Sequence, residues 1–197
     1  MAELNMDFYK AGNDVLLIFT GLDGTPKGYK NKYQKIAQQA VENNNLSVAV
    51  SSTPSGTWLG LLDYTQEVIK NIEERMPNKD FNIYAMGSSM GANVVLSFAD
   101  LFPRVKKIMA INPLLTFNYQ WIEYTLKYFK GDEITIIVGD KDKSRPYVDL
   151  LPKTNNLKTI ILPNTDHQFT QNLQDFIDLP QKYLLNNLNN NNTNENV

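Results

Sequence analysis

Short runs of aliphatic and β-branched residues alternate with longer helical patterns along most of this chain. Six runs have the length and composition of buried strands: 14–20, 47–52, 81–86, 105–111, 133–138 and 157–162. The segments between these runs are long enough for crossover helices. Buried strands joined by crossover helices form a mostly parallel central sheet with helices on both faces, so the sequence predicts the α/β fold class.

Helical periodicity is clearest in one segment, where an apolar stripe recurs every three or four residues at Leu61, Thr65, Val68, Ile72 and Met76. Pro77 ends this helix, because proline cannot continue the hydrogen-bond ladder. The other helical candidates are 30–42, 89–102, 113–129, 146–151 and 168–183. Residues 5–10 are expected to form a hairpin with the first buried strand, through the turn at 11–13.

The length of 197 residues suits one compact domain with a sizeable core. We assign this domain to residues 1–183. The asparagine-rich segment 184–197 is polar and low in complexity, which predicts a disordered tail.

The charge and residue counts exclude several classes of site and partner. A net charge of −2 gives no basic face for a nucleic acid or an anionic membrane, and no apolar run is long enough to span a bilayer. The absence of cysteine and the presence of one histidine exclude disulfides, a thiolate nucleophile and a metal site built on Cys or several His residues. The polar, acidic N-terminus is unlike a secretory signal, so we expect a cytoplasmic protein without metal or organic cofactor.

The pentapeptide Gly-Ser-Ser-Met-Gly at 87–91 lies between a predicted strand and a predicted helix. This is the context of a nucleophile elbow, in which Ser89 stands at the tip of a strained turn with φ > 0. Gly87 and Gly91 would remove side chains that collide with the neighbouring strand and helix. The N-terminus of the following helix favours developing negative charge. The motif predicts Ser89 as a nucleophile.

His167, the one histidine, lies 78 residues after Ser89 in a loop that follows the last predicted strand. Two acids, Asp140 and Asp142, follow the strand before it. Because the carboxyl ends of parallel strands meet at one edge of the sheet, these groups are expected to converge. The order Ser, Asp, His is typical of serine hydrolases with a nucleophile elbow. Either acid could orient the imidazole, and Asp166 is expected to cap the following helix.

Residues 139–142, Gly-Asp-Lys-Asp, resemble the segment that carries the triad acid in the α/β-hydrolase superfamily. The resemblance extends over residues 5–183 and implies a minimal α/β-hydrolase-like fold without a large cap domain. It implies that Asp142 orients His167, with Asp140 as the alternative.

The resemblance also implies an oxyanion hole, made by the backbone N–H groups of Met90 and Leu22. In the superfamily the loop after the first buried strand commonly reads His-Gly-x, whereas this chain has Thr20-Gly21-Leu22. Thr20, Gly21 and Trp58 are expected to contact the substrate.

The expected activity is hydrolysis of a small ester or thioester, with a small-molecule acyl compound as the substrate. Acyl transfer to another acceptor and peptide hydrolysis remain alternatives on the same fold. A non-catalytic binding protein is a third alternative. The sequence does not discriminate among oligomeric states.

Overall fold

The computed structural model describes residues 3–186 and residue 188, and its central element is a seven-stranded sheet. The strands are β1 (Met6–Tyr9), β2 (Val15–Leu22), β3 (Ser47–Thr53), β4 (Ile83–Ser88), β5 (Val105–Ile111), β6 (Glu133–Gly139) and β7 (Leu157–Leu162). All six strands predicted from the buried runs are present, and the predicted α/β class is confirmed. The predicted tail, 184–197, lies outside the described residues except for 184–186 and 188.

The strand order is β1-β3-β2-β4-β5-β6-β7, and every neighbouring pair is parallel except β1 with β3. The predicted hairpin is therefore wrong. Both edges of β2 are occupied by parallel partners, so the chain crosses over to the free edge of β3. The Ser47 hydroxyl accepts from the Ala11 N–H (3.1 Å) and donates to the Gly12 carbonyl (2.7 Å), which fixes this crossing.

Five α-helices lie within the described residues: α1 (Lys32–Asn44), α2 (Trp58–Arg75), α3 (Met90–Phe98), α4 (Tyr119–Tyr128) and α5 (Leu173–Tyr183). The first four connect strands, and α5 follows β7. The predicted apolar stripe forms the buried face of α2. Three predicted helices differ from the structure. Segment 113–129 begins with a loop, segment 146–151 is a 3₁₀ helix (Arg145–Leu150), and segment 168–183 begins with a turn.

The loop before α4 is held by a buried side chain of α3. The Asn93 amide donates to the carbonyls of Leu114 (3.0 Å) and Phe117 (3.1 Å) and accepts from the Leu114 N–H (2.7 Å). These peptide groups are thus satisfied without a helical turn, which explains why α4 begins only at Tyr119. Between β5 and β6 the chain consists of this loop and α4, and there is no large cap domain.

Alternate residues of the strands pack into two hydrophobic cores, one on each face of the sheet. On β2, Leu17 and Phe19 pack toward α2, α3 and α4, whereas Leu16 and Ile18 pack toward α1 and α5. The parallel strands all end at one edge of the sheet, and the loops after β2, β4, β6 and β7 lie there. None of the helices in the described ranges combines the length and apolar character needed to cross a membrane.

We predict that Asn93→Ala lowers the free energy of unfolding by about 3 kcal/mol, because it removes the side-chain partner of the partly buried Leu114 N–H and Phe117 carbonyl. Urea unfolding at neutral pH measures this change. Gln66→Ala, which removes an exposed amide on α2, is the control and should change stability by less than about 0.5 kcal/mol. Equal effects of the two substitutions would contradict the prediction.

Candidate active site

Ser89 lies between β4 and α3 in the backbone conformation that the sequence predicts. Its φ is 54° and its ψ is −119°, a region that is costly for a residue with a side chain. Its N–H donates to the Ile111 carbonyl of β5 (2.9 Å), and its carbonyl accepts from the N–H groups of Ala92 and Asn93. Hydrogen bonds to the neighbouring strand β5 and to the first turn of α3 therefore hold the strained turn.

The two glycines of the elbow have the steric role that the sequence predicts. A Cβ atom on Gly87 would lie 2.1 Å from the Gly91 carbonyl oxygen. A Cβ atom on Gly91 would lie 2.2 Å from the Thr20 carbonyl oxygen and 2.4 Å from the Phe19 carbonyl oxygen. Gly91 thus allows the start of α3 to lie directly against the end of β2.

His167 lies between β7 and α5, and its ring connects Ser89 with Asp142. Nε2 is 2.9 Å from Ser89 Oγ, and Nδ1 is 2.5 Å from Asp142 Oδ2. Because an ionised carboxylate can only accept, Nδ1 carries the proton and donates it to Asp142. Nε2 then has a free lone pair and accepts from the Ser89 hydroxyl. The geometry is that of a nucleophile, a base and an orienting acid.

The structure separates the two candidate acids. Asp142 is buried, and its Oδ1 accepts from the Ser144 N–H (2.7 Å) while its Oδ2 faces His167. Burial raises the pKa of the Asp142 carboxyl, but the hydrogen bonds from His167 and Ser144 outweigh burial and leave the pKa below its usual value. Asp142 is therefore ionised at neutral pH.

Asp140 has a different set of partners. Its exposed carboxylate accepts from the N–H groups of Asn164 (2.9 Å) and Thr165 (3.1 Å), at the start of the loop that carries His167. These hydrogen bonds lower the pKa of the Asp140 carboxyl, and the bond from the Asn164 N–H has the largest effect. Asp166 likewise accepts from the N–H groups of Gln168 and Thr170 and so caps the turn around His167. The expectation that Asp166 caps the following helix is therefore wrong, because α5 begins only at Leu173.

Asn112 supports the histidine loop, and the sequence analysis did not identify it. Its fully buried amide donates to the His167 carbonyl (3.1 Å) and the Asp166 carbonyl (3.3 Å), and its Oδ1 accepts from the Gly139 N–H (2.9 Å). One side chain thus connects the ends of β5 and β6 with the loop that carries His167. A polar residue directly after a buried strand, at the edge where Ser89 lies, was the available signal.

The end of β2 passes beside Ser89. A Cβ atom on Gly21 would lie 3.7 Å from the Ser89 Cβ, so the backbones are close at this point. Leu22, the last residue of β2, pairs in register with Thr53 of β3, and the N–H of Asp23 donates to the Thr53 carbonyl (2.8 Å). Met90 is the first residue of α3, and its N–H has no acceptor within the helix.

Tyr33 of α1 connects the end of β2 to the elbow. Its hydroxyl lies 2.7 Å from Ser88 Oγ, in a buried contact. Burial raises the pKa of Tyr33, and hydrogen bonds with Ser88 and the Gly21 backbone oppose the rise only in part. The neutral phenol therefore joins the residue before Ser89 to the end of β2, where Gly21 and Leu22 lie.

A cavity of about 370 Å³ opens beside Ser89. Four of the residues predicted for the site line it: Gly21, Leu22, Ser89 and His167. Its other walls include the segment 24–29 before α1, and side chains of α1 and α5, namely Lys32, Tyr33 and Phe176. The sequence analysis placed these helices but not the side chains that they direct into the cavity.

Two of the expected substrate contacts do not lie on this cavity. Thr20 is completely buried, and its hydroxyl donates within the loop to the Gly24 carbonyl (3.1 Å). Trp58 is the first residue of α2 and packs against the rings of Phe98 (centroids 4.9 Å apart) and Phe117 (5.7 Å). The apolar stripe of α2 turns Trp58 toward the core shared with α3, away from the α1 and α5 side of the sheet.

The charged group on the cavity wall is Lys32. Its Nζ lies 4.0 Å from the centroid of the Phe176 ring and 4.9 Å from that of Tyr33. Burial lowers the pKa of Lys32 to about 8. Within the described part of the chain, no group of three histidine or acidic side chains is arranged as metal ligands would be.

Comparison with known proteins identifies the fold. No protein-family model matches the sequence, and no curated protein matches it. Among solved structures, Est1E from Butyrivibrio proteoclasticus superposes with a TM-score of 0.75 at 13% identity, over 90% of each chain. The dienelactone hydrolase from Anabaena variabilis gives 0.69 at 14% identity, over 92% of this chain and 91% of that chain.

A third structure is XC6422 from Xanthomonas campestris, described as an α/β serine hydrolase without a lid. It gives a TM-score of 0.66 at 18% identity, over 91% of this chain and 87% of that chain. The chain therefore has the α/β-hydrolase fold in a form without a large cap, as the resemblance implied.

We predict that Lys32→Met raises the melting temperature at neutral pH by a few degrees. The folded-state pKa of about 8 lies below the ordinary 10.5, so folding disfavours the charged lysine. The wild-type penalty is complete below about pH 8 and disappears as the pH rises toward 10.5. The difference between the two proteins should shrink over this range.

Thermal unfolding between pH 7 and about pH 10.5 measures this difference. Lys35→Met, on the exposed side of α1, is the matched control, and it should change the melting temperature at neutral pH by less than Lys32→Met does. A Lys32→Met protein that is less stable than the wild type at neutral pH would contradict the prediction, because the attraction of the ammonium to the aromatic rings would then outweigh its burial.

Proposed function

We propose that this protein is a serine hydrolase that cleaves a small ester or thioester through a covalent acyl-enzyme. The observation that carries the proposal is the continuous line from Ser89 Oγ through the His167 ring to Asp142, with contacts of 2.9 and 2.5 Å. Nucleophile, base and acid are within the distances that such chemistry needs. Solved structures described as esterases and as a dienelactone hydrolase share the fold, which supports the same reaction class.

The first half of the proposed reaction forms the acyl-enzyme. Ser89 Oγ attacks the substrate carbonyl carbon while His167 Nε2 takes the hydroxyl proton, and the carbonyl π electrons move to the oxygen. Asp142 stabilises the imidazolium that results. As the tetrahedral intermediate collapses, His167 gives this proton to the departing alcohol or thiol, and Ser89 remains acylated.

The second half of the proposed reaction repeats these steps with water as the nucleophile. His167 removes a proton from a water molecule, which attacks the acyl carbon, and the same proton returns to Ser89 Oγ as the acid leaves. The N–H groups of Met90 and Leu22 are proposed to stabilise the oxyanion in both halves. The loss of one such donor typically costs about 10²–10³ in turnover. The position of Gly21 against Ser89 supports this role for the end of β2.

The size of the cavity favours a small substrate. A volume of about 370 Å³ lies near the lower end of the range for ligand pockets, roughly 300–1,000 Å³. Its walls mix apolar groups, such as Leu22 and Phe176, with the polar groups around Ser89. An acyl chain of a few carbons fits this description better than a polymer or a long lipid.

A fluorophosphonate probe tests the nucleophile and the base. We expect an adduct on Ser89, located by peptide mass spectrometry, and none in Ser89→Ala. His167→Ala should lower the turnover of a p-nitrophenyl ester by about 10⁴-fold or more, because the base is lost. Folded wild-type protein that is not labelled at neutral pH would argue for the non-catalytic binding protein. Labelling of Ser89, together with transfer of the acyl group of the p-nitrophenyl ester to an added alcohol or amine, would argue for an acyltransferase.

The pair Asp142→Asn and Asp140→Asn tests the orienting acid. Asp142→Asn should lower ester turnover by about 10⁴-fold, because an amide at this position favours the wrong imidazole tautomer. Asp140→Asn acts on His167 only through the loop backbone, so we expect a loss of no more than about tenfold. Initial rates with one p-nitrophenyl ester measure both variants. A greater loss in Asp140→Asn would assign the role to Asp140.

A further inference from the structure

Lys32 brings a positive charge into the cavity beside Ser89. It is the first residue of α1, and its ammonium group lies against the faces of Phe176 from α5 and Tyr33 from α1. The same two residues line the cavity with Ser89 and His167. The ring contacts fix the ammonium on the wall of the cavity rather than in open solvent.

Among the described residues, no carboxylate neutralises this charge. None of the described residues that line the cavity is an aspartate or a glutamate. Lys32 also takes no part in the ion pairs formed among the described residues. Asp142 is turned away, with one carboxylate oxygen on His167 and the other on the Ser144 N–H. A partly buried ammonium without a counter-charge is costly, so the free cavity has an unmet preference for an anion.

Resting on the hydrolase proposed above, we infer that the substrate carries a carboxylate at a distance from its scissile ester, and that Lys32 Nζ binds this carboxylate. One ammonium group matches one negative charge, and the small cavity requires that the carboxylate and the ester belong to a short chain. The half-ester of a short dicarboxylic acid has this chemistry. Lys32 would then select the substrate, while the chemistry remains with Ser89, His167 and Asp142.

The desolvation of Lys32 is consistent with this role. Burial lowers its pKa to about 8, which leaves the ammonium form predominant at neutral pH but less stable than in water. A carboxylate placed against Nζ would supply the missing counter-charge. Charge-assisted hydrogen bonds of this kind are among the stronger polar contacts in proteins.

The first experiment compares two esters of matched shape. Monomethyl glutarate has a terminal carboxylate, and methyl 5-oxohexanoate has a methyl ketone in its place. We expect the wild-type protein to prefer the anionic ester in kcat/KM, and Lys32→Met to reduce the ratio by about tenfold or more. Lys32→Arg should retain part of the preference, and Lys35→Met should keep the ratio within about twofold of wild type.

The second experiment does not depend on turnover. Isothermal titration of Ser89→Ala with glutarate should give saturable binding, which Ser89→Ala combined with Lys32→Met should lose. Lys32→Gln replaces Lys32→Met in both experiments if the methionine variant does not fold.

The outcomes separate the two proposals. Glutarate binding that needs Lys32, in a protein that hydrolyses neither ester and reacts with no fluorophosphonate, would support the anion site and overturn the hydrolase. Ester turnover that depends on Ser89, with equal kcat/KM for the two esters and no glutarate binding, would support the hydrolase and overturn the inference about Lys32.

Discussion

The contact between the start of α3 and the end of β2 is the constraint on which the site depends. Because Gly91 has no side chain, the first turn of α3 lies against the backbone of Phe19 and Thr20. The same approach places the last residues of β2, Gly21 and Leu22, beside Ser89. Any larger residue at position 91 would push α3 away from β2 and would separate the nucleophile from the backbone that is proposed to stabilise the oxyanion.

The other half of the site depends on a second close approach. A Cβ atom on Gly139 would lie 2.1 Å from the Thr165 carbonyl oxygen, so the end of β6 and the histidine loop are in direct backbone contact. Asn112 and Asp140 join these two segments by hydrogen bonds from opposite sides. The short distance from His167 to Asp142 is therefore set by backbone packing at the edge of the sheet.

Much of this arrangement could be predicted from the sequence, because it follows from patterns along the chain. The buried runs predict the strands, and the glycine spacing around Ser89 predicts the turn. The resemblance favoured Asp142, and the structure places that carboxylate on His167. These features are local, or they follow from the rule that parallel strands end at one edge.

The remaining features depend on contacts between distant parts of the chain. The sequence analysis paired β1 with β2, whereas β1 pairs with β3. Strands that follow each other in the sequence are not always neighbours in the sheet. Trp58 and Thr20 were expected at the substrate, but tertiary packing turns them into the protein. Lys32 was not identified, because helical periodicity does not show that its ammonium lies over a ring of α5, 144 positions further along the chain.

The cavity is built by two different parts of the architecture. The reacting groups lie on loops at the strand ends, where backbone contacts at Gly91 and Gly139 leave little freedom. The facing wall consists of side chains from α1 and α5, which no ladder hydrogen bond constrains. Mutations on these two helices could therefore change which acyl groups enter without altering the catalytic apparatus, and divergence between related chains should accumulate on this wall first.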